Sequence, residues 1–215
     1  MRMMRIAAGS TLAGLLLALS GLPTYAQAIP PGAKRCSFEA WTVDRQGRTN
    51  VRAAPSIRAA ILGTVPSASR RIASPEEGAG VSVIASMNGF FLVGSIDVDD
   101  IETATPDRKL GKVFRGSGWI HGSQLAFHIQ SGDGLRATPS RDAPVSVRFR
   151  QAGPDGIGDP DAVVLQMHGC SGRNVEATLT TMDGKEIGRG WLVRDAEEGQ
   201  APPVMTCPLQ LTTCT

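Results

Sequence analysis

An internal repeat is the feature that most restricts how this 215-residue chain can fold. The segment 50–56 reads NVRAAPS, and the later segment 134–140 reads GLRATPS. A second pair of motifs follows, with GWI at 118–120 after the first segment and GWL at 190–192 after the second. Because both copies carry the two motifs in the same order, the sequence predicts one small unit that occurs twice.

The residues around these motifs predict β-strands rather than helices. Short runs of β-prone residues alternate with pairs such as Asn88-Gly89 and Asp183-Gly184, which tolerate the positive φ that tight antiparallel connections require. After position 26, no segment keeps the apolar periodicity of a helix. We therefore expect an all-β fold of small barrels or sandwiches. The predicted strands are 38–43, 50–52, 60–65, 81–86, 90–96, 118–121, 145–149, 162–167, 175–179 and 190–193.

The two copies resemble the bacterial SH3-like domain, whose early strand reads like LNVRSGPS and whose closing strand carries Gly-Trp before an apolar residue. In the second copy, Asn174 stands where an aromatic residue is usual. The resemblance covers roughly residues 36–195 and implies two tandem SH3-like barrels. The matching segments are 49–56, 61–65, 88–93 and 118–120 in the first copy, and 134–140, 169–175 and 190–192 in the second.

The repeat and the resemblance together predict the domain organisation. The interval from Arg52 to Trp119 is longer than the interval from Arg136 to Trp191, so the first unit holds an insertion. The predicted regions are a signal peptide at 1–26, a first SH3-like domain at 34–128 with its insertion near 97–116, a second SH3-like domain at 129–195, and a cysteine-containing tail at 196–215.

The N-terminus predicts export. Arg2 and Arg5 precede an apolar stretch at 6–22 and a small-residue exit at 24–26, a pattern typical of a secretory signal peptide. An uncleaved anchor is the alternative. No later segment is a continuous apolar run long enough to span a bilayer, so we expect no membrane span after cleavage and a periplasmic or secreted protein.

The charge of the exported part argues against nucleic acid as a partner. The whole chain has 22 basic and 20 acidic side chains. The segment 1–26 contains two arginines and no acid, so the rest of the chain has equal numbers of basic and acidic side chains. Such a neutral chain with no basic stripe disfavours stable binding to phosphate backbones.

All four cysteines lie in the exported part, where an even count predicts two disulfides. Their three connectivities remain open. Zinc is the alternative, but the chain has no CxxC and no paired histidines. Acidic segments at 97–100 and 153–161 lack the glycine and distal glutamate of an EF-hand loop, so no metal or cofactor is expected. The cysteines are Cys36, Cys170, Cys207 and Cys214.

No catalytic arrangement is predicted. The three histidines are His121, His128 and His168. His168 and Cys170 occupy positions i and i+2. On a strand, residues i and i+2 are about 7 Å apart, which is too far for a nucleophile and its base to share a hydrogen bond. No nucleophile-elbow, phosphate-loop or metalloprotease motif occurs in a suitable context. We therefore expect a protein that is not an enzyme.

Aromatic side chains are the candidate ligand-binding residues, although the small size of a barrel favours the alternative that they fill its core. Strand alternation places one ring of the Phe90-Phe91 pair inward and the other outward. The resemblance implies a non-catalytic binding module of the cell envelope that recognises a wall peptide or glycan, with peptidoglycan as the ligand. The alternative is a structural or regulatory protein that docks on another envelope protein. The candidates are Trp41, Phe90, Phe91, Trp119 and Trp191.

Overall fold

The computed structural model describes residues 28–68, 78–98, 112–129, 134–149, 163–181, 184–193 and 204–205. The predicted signal peptide, the segment 153–161, most of the insertion, and Cys207 and Cys214 lie outside these residues.

The described residues form strands and one short 3-10 turn at Gly122–Gln124, so the all-β prediction is confirmed. Each of the ten predicted strands overlaps an observed one. The strands are β1 (Lys34–Thr42), β2 (Arg48–Arg52), β3 (Ile61–Pro66), β4 (Gly80–Met87), β5 (Phe90–Asp97), β6 (Gly118–His121), β7 (Leu125–Ala126), β8 (His128–Ile129), β9 (Gly134–Arg136), β10 (Val145–Arg148), β11 (Val163–Ser171), β12 (Asn174–Thr180), β13 (Glu186–Leu192) and β14 (Val204–Met205).

These strands form two larger antiparallel sheets. The first has the order β3-β2-β6-β5-β4-β1-β7 and the second has the order β10-β9-β13-β12-β11, while β8 pairs with β14. Within the described residues neither sheet closes on itself, so they do not form the two tandem SH3-like barrels that the resemblance implies. One buried cluster joins both sheets, with Phe91 and Ile120 from the first and Met167 and Leu179 from the second. The apolar faces are thus buried against each other rather than inside separate barrels.

The sequence repeat is also a repeat of strand order. The order β3-β2-β6-β5-β4 of the first unit corresponds strand for strand to β10-β9-β13-β12-β11 of the second. The motif residues occupy equivalent register positions, since Arg52 lies opposite Trp119 and Arg136 lies opposite Trp191. The number of residues that separates equivalent positions of the two units is the same at the first motif and at β5 and β12. The extra residues of the first unit therefore lie after β5, between β5 and β6.

The repeated arginine stabilises the same loop in both units. Nη1 of Arg52 donates to the carbonyl oxygen of Ala59 at 3.0 Å, and Nη1 of Arg136 donates to that of Ala143 at 2.8 Å. Each bond joins the end of a strand to the loop that follows the Pro-Ser pair. Because proline cannot donate to the ladder, strand pairing stops there and the guanidinium supplies a replacement contact.

The two units are joined covalently and by close backbone packing. Cys36 on β1 is bonded to Cys170 on β11, with a Cα–Cα distance of 5.7 Å. The hydroxyl of Ser86, on β4, accepts a hydrogen bond from the amide of Cys170 at 3.1 Å. Ser86 and Cys170 are equivalent positions of the two units, so β4 and β11 meet at matching points.

Gly122 lies where the 3-10 turn of the first unit packs on β11, so a substitution there tests the packing of the two units. A Cβ there would overlap the carbonyl oxygen of Met167. We expect Gly122→Ala to lower the free energy of unfolding by about 1–3 kcal/mol, because the backbones of the two units would have to separate. Urea denaturation measures the change.

A matched substitution exists on β11 itself. A Cβ on Gly169 would meet only Oε2 of Glu176 and Oγ of Ser86, both at 3.9 Å, which is ordinary van der Waals contact. Gly169→Ala is therefore expected to unfold close to the parent midpoint. Equal midpoints for the Gly122 and Gly169 variants would contradict the packing argument.

Candidate functional site

Each unit has an inner face in the shared core and an outer face that points away from it. The inner faces are built alike, because equivalent positions are apolar and buried in both units. The equivalent inner pairs are Val51 and Leu135, Val83 and Met167, Phe91 and Val175, Val93 and Ala177, and Ile120 and Leu192.

The outer face of the first unit is apolar and covered. Trp119 is 1% exposed and forms a buried cluster with Ala85, Phe90 and Leu92. Two residues from the segment before β1 pack on this cluster, namely Ile29 and Ala33, together with Ile84 and Met87. The chain itself therefore shields this tryptophan from solvent.

The outer face of the second unit keeps the tryptophan but changes its surroundings. Trp191 is half-buried, and Glu176 lies opposite it where Leu92 lies opposite Trp119. Asn174 takes the place of Phe90. We name this surface the Trp191 face, and its residues are His168, Gly169, Ser171, Asn174, Glu176 and Trp191, at the positions of Ile84, Ala85, Met87, Phe90, Leu92 and Trp119.

Hydrogen bonds hold the polar groups of the Trp191 face in place. Oε1 of Glu176 accepts from Nε of Arg189 at 3.0 Å and lies 2.8 Å from its Nη2. Nε2 of His168 is 2.8 Å from Oγ1 of Thr178. Such neighbours orient the carboxylate opposite the indole, and the imidazole farther along the same face, without enclosing them.

Both described histidine side chains are held toward the neutral form. Burial lowers the pKa of His168 below its ordinary value; Arg189 and His121 lower it further, and Glu176 opposes them. Burial also lowers the pKa of His121, and the charge of Arg52 adds to this effect. At neutral pH both imidazoles are therefore uncharged hydrogen-bonding groups.

These shifts predict a loss of stability in mild acid. The unfolded chain binds protons at His121 and His168 once the pH falls to about 6.5, whereas the folded chain resists protonation until lower pH. Stability is therefore full above about pH 7 and falls as the pH drops through 6.5 toward the folded pKa values. Urea midpoints at pH 7.5 and 5.5 measure the fall. In the double variant His121→Gln/His168→Gln the fall should be smaller, and an unchanged fall would contradict this origin.

The five aromatic candidates do not form one surface. Trp41 is buried with Val43, Ala68 and Ala126, and its Nε1 has no hydrogen-bond partner within the described residues. Four of the five side chains are buried, and Trp191 is half-buried.

The Phe90-Phe91 pair follows the predicted alternation. Phe91 lies in the shared core, edge-on to Phe38 with ring centroids 6.1 Å apart. Phe90 lies on the outer face, edge-on to His121 at 5.0 Å. Trp119 occupies the outer side with Phe90, so both of these rings are covered by the segment before β1.

Sequence reasoning did not single out Glu176 and Arg189. The signal for Glu176 lay in the repeat itself, because aligning the units on the NVRAAPS and GLRATPS motifs places Glu176 against Leu92 and Asn174 against Phe90. An exchange of apolar for polar residues confined to one face marks a difference in what covers that face.

A second concave feature lies beside the disulfide. It is an open cleft of about 490 Å³ between β1, β4 and the tip of the β11–β12 hairpin. The sulfur of Cys36, which lines the cleft, is bonded to that of Cys170, so the cleft lining offers hydroxyl and charged groups but no thiol nucleophile. The lining residues are Cys36, Ser37, Phe38, Glu39, Ser82, Val83, Ile84 and Arg173.

The observed disulfide narrows the cysteine pairing. A bond between Cys36 and Cys170 excludes both pairings in which Cys170 is linked to the tail. It also indicates an oxidising, extracytoplasmic environment. Among the described residues, no three His, Cys, Asp or Glu side chains come together as metal ligands. That same part of the chain contains no helix with the length and apolar character needed to cross a membrane.

Comparisons of the chain with protein-family models, with curated proteins and with solved structures give no match.

Proposed function

We propose that this protein is an exported, non-catalytic binding module of two SH3-like units that recognises a peptide or glycan of the cell wall. It acts in the periplasm or after secretion. The observation that carries the proposal is the Trp191 face, where a half-buried indole lies beside the oriented Glu176 carboxylate. Aromatic planes flanked by a few oriented polar groups are typical of ligand sites.

The internal comparison supports a binding role for this face. In the first unit the equivalent indole is shielded by the segment that contains Ile29 and Ala33. In the second unit no equivalent cluster of buried residues surrounds Trp191 among the described residues. A ligand that covers Trp191 would gain the free energy of burying the remaining aromatic surface.

Co-sedimentation with purified wall sacculi tests the proposal. We expect saturable binding by the exported protein, with Trp191→Ala weakening it by about tenfold, the effect of truncating a central aromatic contact. Leu165→Ala is the matched control, because Leu165 is an exposed residue of the same sheet, 39% accessible. No soluble muropeptides should be released during incubation. Absence of saturable binding would refute the proposal.

The alternative function is docking on another envelope protein, and one surface favours it. Ile61 and Leu62 on the edge strand β3 are 53% and 45% exposed, and Ile57 in the preceding loop is 71% exposed. The carbonyl oxygen of Thr64, farther along β3, already accepts from the amide of Phe114 at 3.1 Å, so a partner strand would pair at the Ile61 end. Exposed aliphatic residues at the end of an edge strand suit such pairing. Ile61→Lys would abolish such docking and leave sacculus binding unchanged.

A further inference from the structure

We infer that the Trp191 face binds the glycan rather than the peptide component of its ligand, with one pyranose ring stacked on the indole of Trp191. This inference rests on the proposed function and names the ligand class for the same surface.

The position of Trp191 within its sheet disfavours an extended peptide. Trp191 lies on β13, which is hydrogen-bonded to β12 on one side and to β9 on the other. A peptide that adds as a strand needs a free sheet edge, because its affinity comes from main-chain hydrogen bonds. The Trp191 face offers side chains only, so its ligand must be held by stacking and by side-chain hydrogen bonds.

The first unit shows what an apolar peptide segment requires. Ile29 and Ala33 pack on the cluster that Phe90, Leu92 and Trp119 form with Ala85. At the positions of Phe90 and Leu92 the second unit has Asn174 and Glu176. A similar apolar segment placed on the Trp191 face would remove water from the Glu176 carboxylate without replacing the lost hydrogen bonds, which is unfavourable.

A sugar ring has the complementary chemistry. One face of a pyranose presents C–H groups that can stack on an aromatic plane, while its hydroxyl and acetamido groups project at the edges. Those edge groups would meet the Glu176 carboxylate and the neutral imidazole of His168, both oriented by Arg189 and Thr178. The aromatic part of the face thus matches the C–H face of the sugar, and the polar part matches the hydroxyl and acetamido groups at its edges.

Gly169 leaves room for this contact. It stands where the first unit has Ala85, and Oε2 of Glu176 lies 3.9 Å from the position that a Cβ on Gly169 would occupy. The missing side chain leaves bare backbone beside the carboxylate. Gly169→Leu would fill this space while the alanine-sized part of its side chain fits without overlap.

The experiment is calorimetric titration of the exported protein with two probes. One is a β-1,4-linked tetramer of N-acetylglucosamine, and the other is the free stem tetrapeptide Ala-γGlu-diaminopimelate-Ala. We expect the tetrasaccharide to bind and the tetrapeptide not to bind. Trp191→Ala and Gly169→Leu should each weaken tetrasaccharide binding by about tenfold or more, and Trp191→Phe should weaken it less. Leu165→Ala should bind as the parent does, and urea midpoints show whether each variant is folded.

The outcomes separate this inference from the proposed function. Tetrasaccharide binding that is unchanged in folded Trp191→Ala, or tetrapeptide binding that depends on Trp191, overturns the inference. Sacculus binding that is not competed by the tetrasaccharide also overturns it, while the proposed function stands. Tetrasaccharide binding that depends on Trp191 in a protein that does not sediment with sacculi supports the inference and overturns the proposed function. No binding of either probe overturns the inference.

Discussion

Replacing Cys36 and Cys170 together by alanine is expected to lower the free energy of unfolding by about 3–5 kcal/mol. The disulfide joins residues 134 positions apart, so it restricts most of the described chain in the unfolded state. The chain-entropy estimate for a loop of this length lies near the top of the usual range. The bond also links β1 of the first sheet to β11 of the second, so its loss weakens the contact that holds the two units together.

Urea denaturation of the double variant Cys36→Ala/Cys170→Ala measures this effect. Ser86→Ala is the matched control, because it removes the hydroxyl that accepts from the Cys170 amide and keeps the disulfide. We expect Ser86→Ala to cost about 1–2 kcal/mol, the usual effect of leaving one buried donor without its partner. A double variant as stable as the parent would show that packing alone joins the units.

Local rules explain why the strand pattern could be predicted from the sequence. The turn at Asn88-Gly89 has φ values of 53° and 75°, which a short polar residue and a glycine adopt at low cost. These two residues therefore indicate a tight hairpin between β4 and β5 without any knowledge of the rest of the chain. Alternation along β5 likewise separates Phe90 from Phe91 by geometry alone.

Sheet closure depends on contacts between distant segments and was not predictable in this way. Whether the edges of one unit pair with each other is decided by what else can bury its apolar face. Here β1 and β7 extend the sheet beyond β4, and the other unit covers the inner face. The motif 50–56 is compatible with either outcome, because it determines the end of one strand and not the partner of the whole sheet.

The same limit applies to the two tryptophans. Gly118 and Gly190 each precede the tryptophan and leave space for the facing strand, since a Cβ would lie 3.0 Å from the Arg52 carbonyl oxygen and 2.9 Å from that of Arg136. The local sequence therefore gives both indoles the same register. Trp119 belongs to a cluster on which Ile29 packs, and a contact between segments so far apart in the sequence is not indicated by the local motif.

Trp119→Ala is expected to lower the free energy of unfolding by about 3–5 kcal/mol, whereas Trp191→Ala should cost about 1–2 kcal/mol. Trp119 is 1% exposed and belongs to a buried cluster on which the segment before β1 packs, so its truncation leaves a cavity in that cluster. Trp191 is half-buried, and solvent can occupy part of the space that it leaves. Urea denaturation of the two variants under the same conditions gives the comparison.

A third variant separates the effect of the cover from that of residue size. Ile29→Ser keeps the Trp119 ring but weakens the segment that packs on it, so we expect a smaller loss of stability and a red shift of the tryptophan fluorescence as water reaches the indole. Leu165→Ala controls for apolar truncation on an exposed strand position. Equal losses for Trp119→Ala and Trp191→Ala would mean that both outer faces are covered alike. The Trp191 face would then not be open to a ligand, because an indole whose truncation costs as much free energy of unfolding as that of Trp119 must already be packed.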